Sequence, residues 1–236
     1  MILAIDTSTS ISTIALFDVD VHAELTWIAD QKHTTELLPE IGRLLQRCGL
    51  RADQLKGIVV ALGPGSFNGL RVGLSTAKGL CLALRIPIVG VGTLEALAYQ
   101  YALAKLPVRP ITDAGRGELN TALYEMRDRT WVELEAPWIG GIDEIRRRIS
   151  APTLVCGDTR KEAVVHLCHE LGGLITEPAA AGSLRRAGYL AELGGRKLRA
   201  GKTDDLASLQ PIYLRKPAIT GSTRTDALAV RHPVGG

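Results

Sequence analysis

Several things are scarce in this chain of 236 residues. The four cysteines, Cys48, Cys81, Cys156 and Cys168, form no CxxC pair. That argues against a zinc site or a disulfide framework and for free thiols in a reducing compartment. Cys48, Cys81 and Cys156 sit within apolar patterns, as buried thiols do. The net charge is only +3, so no polyanionic partner is demanded. The local basic clusters Arg146-Arg147-Arg148, Arg185-Arg186 and Arg196-Lys197 with Arg199 read as solvated helix faces. No apolar run approaches the roughly 20 residues of a membrane span. The stretch Met1–Asp6 carries no basic leader and meets an acid early, so no signal peptide is expected and a cytoplasmic location is. No Gly-Lys-Ser/Thr closes the glycine-rich stretch at 63–73, so that stretch is not a Walker-type phosphate loop.

What is present is enough apolar residue, 46%, to build one large core or two small ones. The most informative stretch is Gly63-Pro64-Gly65-Ser66-Phe67-Asn68-Gly69-Leu70-Arg71-Val72-Gly73. It follows the apolar run Ile58–Leu62 and precedes Leu70, Leu74, Ala77, Leu80 and Leu84 at helical spacing. That is a strand, a glycine turn and a helix start, the layout of many anion-binding loops. Gly69, Gly73 and Ala77 fall four apart on one face. A glycine inside a helix costs roughly 1 kcal/mol against alanine, so this face predicts a close neighbour, read here as another helix.

Periodicity divides the chain into two halves with the same order of elements and no visible sequence repeat. Strands are predicted at Ile2–Ile5, Ile11–Phe17 and Ala23–Ala29, then a helix from about Thr35 to Cys48, ended by Gly49. The Ile58–Leu62 strand and its helix follow, then a strand at Ile86–Val91 and a helix with Thr93 as N-cap. The second half reads as strands at Val108–Thr112, Leu119–Glu125 and Thr130–Leu134, a helix at Ile142–Ile149 and a strand at Thr153–Cys156. A helix at Lys161–Leu171, a weak strand at Leu174–Thr176 and a helix at Leu184–Arg199 complete it. Two such halves describe an α/β protein with a duplicated ribonuclease-H-like fold, as in the actin and Hsp70 ATPases. The expected parts are 1–106, 107–215, and a disordered tail at 216–236. Lys105-Leu106-Pro107 marks the boundary, because proline ends the helix.

These residues carry a family resemblance. Ile5-Asp6-Thr7-Ser8-Thr9, His33 with Leu37-Leu38-Pro39, the glycine block, Asp113-Ala114 with Arg116-Gly117-Glu118, and Pro211 with Tyr213-Leu214-Arg215 stand in order along the chain. In this the chain resembles the TsaB (YeaZ) family, bacterial proteins of tRNA threonylcarbamoyladenosine synthesis. The pattern is departed from at Asn68 for a threonine, Gly115 for a basic residue and Asn120 for an aromatic.

The resemblance implies a non-catalytic subunit that binds a paralogous TsaD-type transferase, with a TsaE-type ATPase in the same complex. It implies contact with tRNA only through the complex; a homodimer is expected when the partner is absent, because an isologous patch can pair with itself. It implies no catalytic residue, no metal and no intrinsic cofactor, with ATP or ADP at the complex interface. TsaD-type chains bind metal through two histidines four apart; the matching positions here are Thr93 and Leu97, and leucine cannot ligate. His166 and His169 could supply half a metal site but read as surface histidines. The expected partner interface comprises His33, Leu37, Leu38, Ile41, Leu45, Phe67, Gly69, Leu70, Arg71, Gly73, Leu74 and Ala77. His33 is read as a capping or interface donor. Phe67 and Arg71 are the candidate hot spots. The competing reading is an actin-like ATPase or small-molecule kinase whose cleft holds Asp6, Thr7, Ser8 and Asp113. Against it, Asp6 and Asp113 can also serve to tie down hairpin turns. A metalloprotease is argued against by Thr93 and Leu97.

Overall fold

A computed structural model of the chain describes residues 1–157 and 162–215. The expected tail at 216–236 and the expected helix start at Lys161 lie outside the described residues. The first half forms β1 (Ile2–Asp6), β2 (Ile11–Phe17), β3 (Val21–Ile28), α1 (His33–Arg47), β4 (Gly57–Ala61), α2 (Phe67–Leu84), β5 (Ile88–Val91) and α3 (Thr93–Tyr99). The second half forms β6 (Val108–Gly115), β7 (Glu118–Arg127), β8 (Thr130–Gly140), α4 (Ile142–Arg147), β9 (Thr153–Gly157), α5 (Glu162–Leu171), β10 (Ile175–Thr176) and α6 (Ala187–Arg199).

Each half builds a five-stranded mixed sheet of one topology. The orders are β3-β2-β1-β4-β5 and β8-β7-β6-β9-β10. In both, an antiparallel three-strand meander is extended by parallel strands beside its first member. This is the duplicated ribonuclease-H-like arrangement that the order of elements predicts. Strands β1 and β4 are buried along their whole length, because helices cover both faces of the sheet. Alternation along β1 divides the core. Leu3 and Ile5 meet Leu37, Ile41 and Leu44 of α1 and Leu74 and Ala77 of α2. Ile2 and Ala4 face the other way, onto Ala187, Leu190 and Ala191 of α6.

The two halves exchange their last helices. Helix α3 packs on the second sheet, where Leu94, Leu97 and Ala98 join Val108, Tyr124 and Cys156. Helix α6 packs on the first sheet, and after it Asp204 bonds the edge strand β5: its backbone N–H donates to Ile88 O (2.9 Å), and its Oδ2 accepts from Gly90 N (2.7 Å). Leu206 and Leu209 join the first core as well. The boundary at 106/107 therefore separates the sheets but not the cores. Periodicity finds a crossover helix without telling which sheet it will cover.

Smaller departures have local causes. Strand β8 runs through Pro137 to Gly140, beyond the expected Leu134, because an edge strand tolerates a residue without an N–H. Helix α6 starts at Ala187 rather than Leu184, since Arg186 is extended. Gly92, not Thr93, occupies the cap position of α3. Thr93 is the first helical residue, and its buried hydroxyl has no partner among the described residues. No helix among the described residues is long and apolar enough to cross a membrane.

One buried charge anchors the second sheet. Arg109 on β6 is almost fully buried, and its Nη2 lies 2.7 Å from Glu135 Oε2. Arg148 pairs with the other oxygen of Glu135 and, at 2.8 Å, with Glu144. Burial pushes the Glu135 carboxyl up, but Arg109 and Arg148 outweigh it and hold it below its ordinary value of 4.5. A carboxyl with a depressed folded pKa stabilises the fold above its unfolded pKa and loses that contribution as pH falls through the folded one. Glu135→Ala should therefore cost about 3–5 kcal/mol at pH 7 in urea unfolding, because Arg109 stays buried without a counter-charge. The gap from wild type should narrow as the pH is taken below 4.5.

Candidate functional site

The glycine block is held against the turn that follows β1. Ser66 caps α2, with its Oγ accepting from Gly69 N (3.3 Å), and its own N–H donates to Ser8 O (2.7 Å). A Cβ added at Gly69 would lie 2.0 Å from Thr7 O, one at Gly73 2.3 Å from Thr7 Oγ1, and one at Gly65 2.3 Å from Ser8 O. The loop is built for backbone contact, as expected, and the contact is with the chain itself. The expectation that Gly69, Gly73 and Ala77 admit a partner helix is corrected on this point. The two glycines press on Thr7, and Ala77 lies in the first core. Leu70, Leu74, Leu37, Ile41 and Leu45 are buried too. Their apolar spacing marks the faces that cover the first sheet, so these side chains are not available to a partner.

His33 is buried, and its Nδ1 lies 2.8 Å from Ser12 Oγ on β2. It does not cap α1, whose cap position is Lys32. Burial lowers the His33 pKa, opposed by a hydrogen bond with the Thr9 backbone. Leu97 sits in an apolar cluster with Val108 and Cys156. His166 and His169 are exposed, with Glu170 3.5 Å from His166. Burial pushes the Cys81 thiol up to about 11, which makes it a poor nucleophile at neutral pH.

Between the two sheets lies a cleft of about 810 Å³ lined by Ser8, Thr9, Ser66, Thr112, Asp113 and Arg185, among others. The structure brings Ser8 and Asp113 to its walls. Asp6 lies beneath Ser8. Its Oδ1 accepts from Ser8 N (2.8 Å) and Ser8 Oγ (2.5 Å), and Arg185 Nη1 reaches both Ser8 Oγ (2.8 Å) and Asp6 Oδ2 (3.5 Å). Thr7 turns away, donating its hydroxyl to Gly69 O at 2.6 Å, so it offers nothing to a phosphate. Asp113 Oδ1 accepts from Gly115 N (3.1 Å), the turn-tying role. A carboxylate already occupied by a serine and an arginine is a weak metal ligand and a weak base. Arg185 is the residue the sequence reading missed. Together with Arg186 it resembles a solvated pair, yet Arg185 is buried on Asp6 and Arg186 pairs with Glu24 (2.8 Å).

The outward faces of α1 and α2 carry a different pattern. Exposed residues recur at i, i+3 and i+4 spacing: Thr35, Leu38, Gly42 and Gln46 on α1, and Asn68, Arg71, Ser75, Gly79 and Leu82 on α2. Leu38 and Leu82 are 55% and 68% exposed. A Cβ at Gly42 or Gly79 would meet nothing. Neither glycine has a packing reason among the described residues, and each weakens its helix by about 1 kcal/mol relative to alanine. Of the expected interface residues, Leu38, Phe67 and Arg71 lie at this surface. Gly42 and Gly79 escaped the sequence reading because only the fold tells which small residues face inward.

Comparison with known proteins places this geometry among relatives. The family model described as TsaD, tRNA N6-adenosine threonylcarbamoyltransferase, matches residues 27–145. A tRNA threonylcarbamoyladenosine biosynthesis protein TsaB from Bacillus subtilis is 35% identical, over 91% of this chain and 93% of that protein. The protein of the same name from Escherichia coli is 32% identical, over 91% and 94%. A solved structure from Pseudomonas aeruginosa, described as an uncharacterized protein with similarity to peptidase YEAZ, superposes with a TM-score of 0.76 at 23% identity. That match covers 91% of this chain and 99% of the other.

Two outcomes are expected of the cleft floor and α1. Arg185→Ala should destabilise the chain by about 3 kcal/mol, since Asp6 is left buried without its counter-charge. Adding Asp6→Asn should recover part of that loss, as a double-mutant cycle by chemical unfolding would read. Because the His33 pKa is lowered, its neutral form favours the fold, and stability should fall as pH drops below 6.5. His33→Gln should flatten that part of the pH–stability curve.

Proposed function

Because the chain belongs to the TsaB family of tRNA threonylcarbamoyladenosine biosynthesis proteins, we propose that it acts as a non-catalytic subunit that docks on a TsaD-type transferase. In this reading it supports transfer of the threonylcarbamoyl group to the adenosine beside the tRNA anticodon. The observation that carries the reading is the open face of α1 and α2. Two exposed mid-helix glycines, Gly42 and Gly79, lie alongside the exposed Leu38 and Leu82. Small residues let a facing helix come close, and the leucines supply apolar area. The TsaD-type partner is a paralogous fold, consistent with the family model that this chain matches.

The remaining partners follow from the same reading. A TsaE-type ATPase and the tRNA join through the complex, and ATP or ADP belongs to the complex interface. Without its partner the chain pairs with a second copy through the same helices, since a self-complementary patch closes as a two-fold dimer. The alternative, an ATPase or small-molecule kinase of the Asp6/Asp113 cleft, has less support. The Asp6 carboxylate is engaged by Ser8 and Arg185, and Thr7 by Gly69.

Gly79→Gln separates docking from folding. The substitution should raise stability by up to about 1 kcal/mol, because glutamine is the better helix former. It should nevertheless abolish co-elution with the transferase and lower tRNA modification in a reconstituted reaction. Unchanged co-elution would overturn the docking reading. ATP turnover by the isolated chain that disappears in Asp6→Asn would establish the alternative.

A further inference from the structure

At the start of α2 three side chains form a stack. The Arg71 guanidinium carbon lies 3.8 Å from the centre of the Phe67 ring. The Phe67 and Tyr213 rings are 5.3 Å apart, tilted by 35°. Arg71 Nε donates to the Tyr213 hydroxyl at 3.4 Å. Tyr213 is itself held from both lobes. Its neighbour Ile212 donates its N–H to Leu62 O (2.7 Å), and Arg215 pairs with Glu118 and donates to Ala114 O (3.5 Å). The segment 211–215 thus runs from the glycine loop to the β6–β7 hairpin.

Of the arginines that lie over an aromatic ring among the described residues, Arg71, Arg148, Arg186 and Arg196, Arg71 alone reaches no carboxylate. Arg43, Arg51, Arg109, Arg127, Arg148, Arg185, Arg186, Arg196 and Arg215 each reach a carboxylate. Among the described residues no carboxylate pairs with Arg71, and the first turn of α2 holds no acid. An exposed arginine that is stacked on one face and tethered at Nε keeps its two Nη groups for a planar acceptor. Its side chain is already ordered, so less conformational freedom is lost when that acceptor arrives. Arg71 also belongs to the exposed stripe with Ser75, Gly79 and Leu82.

We infer that Arg71 is a specificity-determining residue that receives a carboxylate from the partner's helix, and that Tyr213 is the positioning residue that aims it. The inference rests on the docking reading and gives that partner a chemistry. A helix lying along α2 brings an acid to Arg71 and an apolar side chain to Leu82, about 16 Å away along the axis. The acid and the apolar residue should therefore also be separated by about eleven residues on the partner. The bond is a charge-assisted, forked hydrogen bond, so lysine at position 71 would keep the charge and lose the fork.

The test is titration calorimetry of the full chain with the purified TsaD-type transferase of the same organism, at low and high salt. Arg71→Ala should weaken binding at least about tenfold. Arg71→Lys should recover only part of that loss. Tyr213→Ala should weaken binding less than Arg71→Ala, and should add almost nothing in the Arg71→Ala background. Tyr213→Phe, which keeps the ring, should bind close to wild type. Salt should weaken the wild-type complex more than the Arg71→Ala complex. Wild-type binding that Arg71→Ala leaves unchanged overturns this inference alone. An equal Tyr213→Ala effect with and without Arg71 reduces Tyr213 to a structural part and overturns its positioning role. Absence of wild-type binding overturns the docking reading, and this inference with it.

Discussion

The contact between the turn after β1 and the glycine face of α2 sets most of what this molecule can do. Three glycines meet Thr7 and Ser8 without room for a single carbon. That closeness fixes the height of α2 over the first sheet and directs Ser66 onto Ser8 O. It also uses the backbone groups and the Thr7 hydroxyl that a phosphate would otherwise find. A loop whose sequence suits an anion is thus spent on internal packing. The Asp6 carboxylate below it is compensated by Arg185.

The outer surface has its own logic. The inward stripes of α1 and α2 are apolar or small because they lie on a sheet. The outward stripes combine leucines with glycines that touch nothing among the described residues. Gly42 and Gly79 weaken isolated helices and gain no contact among the described residues. Arg71 lies near one end of this face and Leu82 at the other. The segment 211–215, which reaches the second lobe, tethers Arg71 through Tyr213. Arg71 is therefore attached to both lobes.

Much of this was legible in the sequence. The order of strands and helices, the topology class and the family resemblance all follow from periodicity and short blocks. What escaped has a common cause. Strand and helix periods say that a face is buried without naming what buries it. Gly69 and Gly73 read as a docking face because a close neighbour was certain and its identity was not. The same limit hid the exchange of α3 and α6 between sheets. Arg185 read as surface because its partner Asp6 lies 179 positions away along the chain, and no local pattern links a distant ion pair.

The exchanged helices also bear on how the chain comes into being. During synthesis the first sheet is complete in strands by residue 91, long before α6 leaves the ribosome. Until then Ile2, Ala4, Val59 and Ala61 have no cover on the side that α6 will occupy. The second sheet, in turn, takes one cover from α3, made before any of its strands. Contacts of such sequence separation form slowly, and a nascent half that waits with one apolar face bare is exposed to wrong associations. Neither half finishes as an independent folding unit; the first lobe closes only when nearly the whole chain has emerged.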